Sequence, residues 1–116
     1  MSAALIYKIA DASSWAEATR RGAYEGSPDD VRDGFIHFST AEQARETSAK
    51  HFSGRADLMI AAIDATALGD TLKWEPSRGG ALFPHLYGPL TMSAVVWTRP
   101  LPLGGNGQHV FPTEMS

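Results

Sequence analysis

The sequence predicts a single α+β domain with two main helices and five or six strands. Segments 11–21 and 39–52 carry helix start and stop signals, and short runs of β-forming residues lie around them. At 116 residues the chain has the usual size of one domain and buries enough surface to need no metal or disulfide. We expect one domain over 1–116, with its core at about 5–100 and a C-terminal tail at 101–116.

The first predicted helix runs from Asp11 to Arg21. Ser14 and Glu17 have the spacing of a capping box, Asp11 is an alternative N-cap, and Gly22 supplies a C-terminal stop. Two N-cap positions are therefore open, and the first helical residue is not fixed by the pattern.

The second predicted helix begins after Ser39 or Thr40 and runs to about Phe52, with Glu42 or Gln43 at the third position of a capping box. The capping hydroxyl also has a functional interpretation, because exposed N–H groups at a helix start can hold an anion or a phosphate. Ser39 and Thr40 are thus both N-cap candidates and ligand-binding candidates.

Five segments are predicted as strands: 5–9, 34–38, 58–63, 72–75 and 94–98. The run 58–63 is continuously apolar, which is typical of a strand covered on both faces, so we place it at the sheet centre. In the second segment, strand alternation places His37 on one face and Ile36 and Phe38 on the other.

Two segments are predicted as loops. Residues 24–33 carry glycine, proline and paired aspartates, which favour turns. Residues 77–89 combine three glycines and two prolines with large apolar side chains, which predicts an ordered loop folded against the core. Exposed apolar surface around Phe83, Pro84 and Leu86 would instead indicate a protein-binding surface.

Composition argues against several partners. The net charge is −3 and the ten Lys and Arg residues are scattered, so we expect no nucleic-acid partner. The longest apolar run, 58–63, is far below the roughly 18 residues of a membrane span. The N-terminus lacks a secretory pattern and cysteine is absent, so we expect a soluble cytoplasmic protein.

Standard phosphate-binding and hydrolase motifs are missing. The chain has no phosphate-binding P-loop, no dinucleotide glycine motif after a strand and no G-x-S-x-G elbow. None of its four histidines is paired at helical spacing and no thiolate is available, so no metal site is predicted.

Two histidines are candidate catalytic residues. His37 lies mid-strand, where its ring either packs in the wall and bonds backbone or faces a cleft as an acid–base group. His85 lies in the proline-rich segment, where a rigid backbone could hold a reactive group, and a structural role bonded to backbone is equally open. Glu75 and Arg78 are interpreted as a solvated turn pair, and Trp74 as a core residue.

Three sequence blocks, at 6–9, 34–40 and 80–90, occur together in a known family. The strings G-F-I-H-F-S-T and F-P-H-L-Y-G-P-L are specific to it. The chain resembles the bacterial family catalogued as domain of unknown function 952, over about residues 5–100. This resemblance implies no particular activity.

A remoter likeness is to the ADP-ribosyltransferases. The block 34–39 is similar to their tyrosine strand, with His37 in place of the tyrosine, and Lys8 stands where their first-strand histidine belongs. The segment 86–97 is similar to their last block but lacks its glutamate. The likeness implies a split, mostly antiparallel sheet.

The same likeness makes an NAD-like molecule the candidate cofactor. It implies Lys8, Ser39, Thr40 and Tyr87 as ligand-binding residues beside His37 and His85. The resulting hypothesis is a cleft for a nucleotide-derived or other small anionic ligand, in an atypical transferase-like enzyme. The alternative is a non-catalytic interaction or regulatory module that retains only the fold.

Overall fold

Eight strands form three small antiparallel sheets in the computed structural model, which describes residues 4–115 apart from the side chain of Arg78. The first sheet has the order β1 (Leu5–Asp11), β4 (Leu58–Asp64) and β8 (Val95–Leu101). The second pairs β2 (Ala23–Tyr24) with β7 (Leu90–Thr91). The third has the order β3 (Ile36–His37), β6 (Leu82–Leu86) and β5 (Leu72–Pro76). The predicted α+β class with antiparallel pairing is confirmed.

The α-helices of the described chain are α1 (Ala12–Arg21), α2 (Pro28–Asp33) and α3 (Ala41–His51). Short 3₁₀ turns lie at Ala65–Thr71, Arg78–Gly80, Met92–Ala94 and Thr113–Met115. No helix within residues 4–115 is both long and apolar enough to cross a bilayer.

Both predicted main helices are present. Asp11 is the N-cap residue of α1 and Gly22 ends the helix at a φ of 88°. Helix α3 is capped by Thr40, whose hydroxyl accepts from the backbone N–H of Gln43 while the Gln43 side chain accepts from the N–H of Thr40. Of the N-cap alternatives, the chain therefore uses Asp11 and Thr40.

Helix α2 corrects the predicted loop at 24–33. Ser27 and Asp30 form a reciprocal capping box, Pro28 occupies the first turn, and Gly34 ends the helix at a φ of 88°. The prediction was wrong because the same residues that favour a turn also start a helix: proline fixes a helical φ and aspartate complements the helix dipole.

Strand β4 separates two apolar layers, as predicted for a central strand. Met59, Ala61 and Ile63 face the cluster that contains Trp15 and Ala18 of α1. The alternate residues Leu58, Ile60 and Ala62 face a second cluster that contains Ala44 of α3 and, from the predicted C-terminal tail, Leu101 and Met115. The apolar run is continuous because both faces of this strand are buried.

The first and third sheets meet at one point. Tyr7 and Ser39 exchange two backbone hydrogen bonds, of 2.7 and 2.9 Å, and the N–H of Phe38 donates to the carbonyl of Pro84 at 3.0 Å. The split sheet therefore joins β1 to the end of β3, next to the start of α3.

The segment 77–89, predicted as a loop, contains β6. Its proline and glycine residues favoured a loop. Pro84 is tolerated in the strand because its position needs only a hydrogen-bond acceptor, and its carbonyl accepts from the N–H of Phe38. Phe83, Pro84 and Leu86 are buried, so the apolar surface that would have indicated a protein-binding surface here is not exposed. Trp74, predicted in the core, is 46% exposed.

Candidate functional site

One cavity of about 310 Å³ lies between β1, α2, the third sheet and α3. Its wall includes Lys8, Asp30, Asp33, His37, Ser39 and His85. Its size is near the lower end of ligand-binding cavities, which span about 300–1,000 Å³.

Strand alternation positions the two histidines. In the register of β3 and β6, Ile36 lies opposite Leu86 and His37 lies opposite His85. The first pair packs in the core while the second lines the cavity. The two imidazole centroids are 5.6 Å apart and nearly edge-on, at 70°. A two-residue strand thus places both rings on the same face of the sheet.

Lys8 is buried and its charge is already matched inside the protein. Its Nζ donates to Oδ2 of Asp30 at 2.8 Å and to the backbone carbonyl of His37 at 3.0 Å. Burial lowers the pKa of Lys8, although the Asp30 carboxylate opposes this shift. The ion pair fixes β1 to α2 and leaves less positive charge for a ligand than the sequence-based hypothesis requires.

Asp30 connects the helix cap, the lysine and the histidine. Its Oδ2 accepts from Lys8 and from the N–H of Ser27, and its Oδ1 accepts from the N–H of His37 and contacts Nδ1 of that ring at 2.5 Å. Burial alone would raise the pKa of Asp30, but the bonds from His37 and the charge of Lys8 outweigh it and lower the pKa. An ionised carboxylate only accepts, so Nδ1 of His37 carries a proton.

The other nitrogen of His37 also faces a carboxylate. Nε2 lies 3.0 Å from Oδ2 of Asp33, whose Oδ1 accepts from Arg32 at 3.2 Å. Of the two interpretations of His37, the purely backbone-bonded one is therefore wrong, because both ring nitrogens contact acidic side chains.

His85 is held by a different carboxylate. Its Nδ1 lies 2.7 Å from Oε1 of Glu75, and the Tyr87 hydroxyl donates to the same oxygen at 2.8 Å. These two hydrogen bonds lower the pKa of Glu75. Phe35 stacks on the imidazole at 4.1 Å, and the His85 residue is only 5% exposed. Among the described residues, which exclude the side chain of Arg78, no hydrogen-bond partner lies on its Nε2.

The predicted site residues fall into two groups. Lys8, His37, Ser39 and His85 line the cavity, and the Ser39 hydroxyl lies 3.0 Å from that of Thr47. The Thr40 hydroxyl is used by the helix cap. The Tyr87 hydroxyl donates to Glu75, and Glu75 also bonds His85, so Tyr87 is linked to the site through Glu75.

Three acidic residues were missed as site residues: Asp30, Asp33 and Glu75. The S-x-x-D spacing of Ser27 and Asp30 was a usable signal for a helix start. Nothing in the sequence places Glu75 beside His85, since that contact depends on the register of β5 and β6.

The cavity is mixed in charge. Among the described side chains, which do not include that of Arg78, the charged lining residues are Asp29, Asp30, Asp33, Lys8 and Arg32, three carboxylates and two cations. Within the described part of the chain, His, Asp and Glu side chains form no cluster of three suited to a metal ion. The described side chains of the lining can donate and accept hydrogen bonds and exchange protons.

Fold and site together define a small antiparallel α+β protein with two carboxylate-oriented histidines in one cavity. A family model described as "Protein of unknown function (DUF952)" matches residues 9–98, and the chain belongs to this family. No curated protein matches the chain.

Solved structures of the protein CC0527 from Caulobacter crescentus are similar to this chain. The crystal structure is 49% identical, covers 96% of this chain and 97% of its own, and has a TM-score of 0.91. A crystal structure of a CC0527 double mutant gives 48% identity, the same coverage and a TM-score of 0.91. The solution NMR structure is 51% identical over 90% of each chain, with a TM-score of 0.82.

Proposed function

We propose that this chain binds a small nucleotide-derived ligand in the cavity and that His37 and His85 supply acid–base chemistry to it. One observation carries the proposal: two opposed imidazoles line one cavity, and each is oriented through Nδ1 by its own carboxylate. Carboxylates that fix the tautomer and orientation of a histidine are typical of acid–base sites.

The charges of the cavity indicate which part of a nucleotide-derived ligand would lie inside it. Lys8 is paired with Asp30 and the Thr40 hydroxyl caps α3, so neither side chain is free to hold a phosphate. We therefore place the nucleoside part of the ligand in the cavity and its phosphates outside.

The ADP-ribosyltransferase-like fold is part of the same proposal. Antiparallel sheets that split and meet between Tyr7 and Ser39 support it. His37 on β3, just before α3, is the residue that the likeness placed at the NAD site. NAD, ADP-ribose and nicotinamide are therefore the first molecules to test.

A second candidate function is a non-catalytic protein-interaction or regulatory module. It is supported by Trp74 and Leu82, which are 46% and 52% exposed on the hairpin of β5 and β6. This function requires no ligand in the cavity, so a ligand panel separates the two candidates.

The test is a thermal-unfolding panel with NAD, ADP-ribose, nicotinamide and AMP. It uses the wild type, His37→Ala, His85→Ala and, as a control outside the cavity lining, His109→Ala. A ligand at a hundred times its Kd adds about 2.7 kcal/mol to the free energy of unfolding. We expect a shift in the wild type and the control that is lost in both cavity variants. A cooperative wild type that no ligand stabilises would leave the interaction module as the better proposal.

A further inference from the structure

We infer that His85 is the base of the cavity: Glu75 and Tyr87 keep its proton on Nδ1 and present the Nε2 lone pair to the ligand. This inference rests on the proposed function and deepens it. It assigns Glu75 and Tyr87 as positioning residues and names the ligand group required, a hydroxyl or a bound water that donates to Nε2.

The proton on Nδ1 follows from the partners of Glu75. Its Oε1 receives the Tyr87 hydroxyl at 2.8 Å and contacts Nδ1 of His85 at 2.7 Å. An ionised carboxylate has no proton to donate, so Nδ1 must be the donor. In a neutral imidazole the other nitrogen is then an acceptor, and this Nε2 has no partner among the side chains and backbone groups that the structure describes.

The ring is also fixed in position. His85 lies in β6, the middle strand of its sheet, where His37 flanks it in register on one side and Lys73 on the other. Phe35 stacks on its face at 4.1 Å with an interplanar angle of 23°. A buried acceptor that cannot turn away is costly unless a donor meets it, so a ligand or a water belongs there.

His37 cannot take the same role. Both of its ring nitrogens already face carboxylate oxygens, those of Asp30 at 2.5 Å and Asp33 at 3.0 Å. In that arrangement its ring offers donors and no lone pair. The two histidines therefore differ, because His85 keeps an acceptor nitrogen for a ligand, whereas both ring nitrogens of His37 face carboxylates of the protein.

The proposed step moves one proton from the ligand to His85. The O–H bond of the ligand hydroxyl or bound water breaks, the proton joins Nε2, and the electron pair stays on the oxygen. The ring becomes an imidazolium whose new charge faces the Glu75 carboxylate. A ribose hydroxyl meets this requirement, whereas a phosphate without a proton does not.

The first readout is the tautomer of His85 in the full-length chain, measured by ¹⁵N NMR of the imidazole nitrogens at neutral pH. His85→Ala identifies the signal. In the wild type we expect a proton on Nδ1 and an acceptor-type shift for Nε2. Glu75→Ala should move the ring toward the Nε2–H tautomer, whereas Glu75→Gln, which keeps the acceptor oxygen, should not. His109→Ala, which lies outside the described lining of the cavity, is the control.

The second readout is the affinity for ADP-ribose. We expect Glu75→Ala to weaken binding about tenfold, as for loss of a hydrogen bond to a charged group. Glu75→Gln, Tyr87→Phe and the control His109→Ala should retain most of the affinity, with the largest loss among these three in Tyr87→Phe.

The tautomer and the ligand affinity test the assignment of His85 and the proposed function separately. An Nε2–H tautomer in the wild type, or Glu75→Ala with wild-type tautomer and affinity, would refute the assignment of His85 even if ADP-ribose binds. Absence of any ligand shift in the wild type would refute the proposed function and the role of His85 as a base, leaving the tautomer as a structural property.

Discussion

Lys8 and Asp30 form an ion pair of 2.8 Å although 22 residues separate them and each is at most 5% exposed. Two opposite charges taken out of water are stable only when each has a partner, and here each is also bonded to groups of the main chain. The pair attaches β1 to α2, and both of its residues line the cavity beside His37.

Removal of Lys8 should be strongly destabilising. Lys8→Met leaves the Asp30 carboxylate buried without its cation, and we expect a loss of about 3–5 kcal/mol in the free energy of unfolding. Urea denaturation measures this loss. Lys50→Met is the matched control, because the exposed pair of Lys50 with Glu46 should contribute less than about 1 kcal/mol. Equal effects of the two substitutions would contradict a buried ion pair.

The stability of the protein should fall steeply only in strong acid. Because the pKa of Asp30 is lower in the folded chain than in the unfolded chain, the unfolded state takes up the proton first as the pH falls. This stabilisation is complete above the ordinary aspartate pKa of about 3.9 and is lost below it, toward the lower folded-state pKa. Denaturation from pH 6 to pH 2 tests this, with Asp30→Asn expected to show a shallower dependence.

The capping box of α2 should contribute measurably despite the short length of the helix. Ser27→Ala removes the acceptor for the N–H of Asp30, and we expect a loss of about 1 kcal/mol. Ser13→Ala, at an exposed position in the first turn of α1, controls for the loss of a serine. Faster hydrogen exchange in α2 for Ser27→Ala alone would support the cap, and equal exchange in both variants would count against it.

The central strand should be the most sensitive part of the core. Ile60 is fully buried in β4, and Ile60→Ala should cost about 2–5 kcal/mol through lost burial and the resulting cavity. Val96→Ala in the neighbouring strand β8 should cost far less, since Val96 is 52% exposed. Thermal unfolding of both variants checks this, and similar costs would show that β4 is not the centre of the core.

Local patterns predicted the parts of the fold that depend on local physics. The continuous apolar run of β4 can be buried on both faces only between two apolar layers. Thr40 and Gln43 form the capping hydrogen bonds of α3 from within the helix start itself. Strand β6 was missed because its proline favours a turn unless a tertiary hydrogen bond compensates, and helix α2 was missed because the residues that start it also favour a turn. For Pro84 that bond comes from Phe38, which is 46 residues away in the chain and outside any local pattern.

The candidate site likewise has residues that the sequence could predict and residues that it could not. His37 and His85 could be selected from the sequence, since each lies in an apolar segment where a histidine is conspicuous. Their acidic partners could not, because the contact of Glu75 with His85 depends on strand register, and that of Asp30 with His37 depends on a helix start that resembles a loop.

Asp30 has three roles: it caps α2, pairs with the charge of Lys8 and orients the ring of His37. A six-residue helix is too short to persist by itself, so its existence depends on the same carboxylate that sets the cavity. Positions 8, 30 and 37 are therefore expected to evolve as a unit. A relative that has lost the carboxylate at position 30 should also have lost the lysine at position 8, and should carry a different residue in place of the histidine.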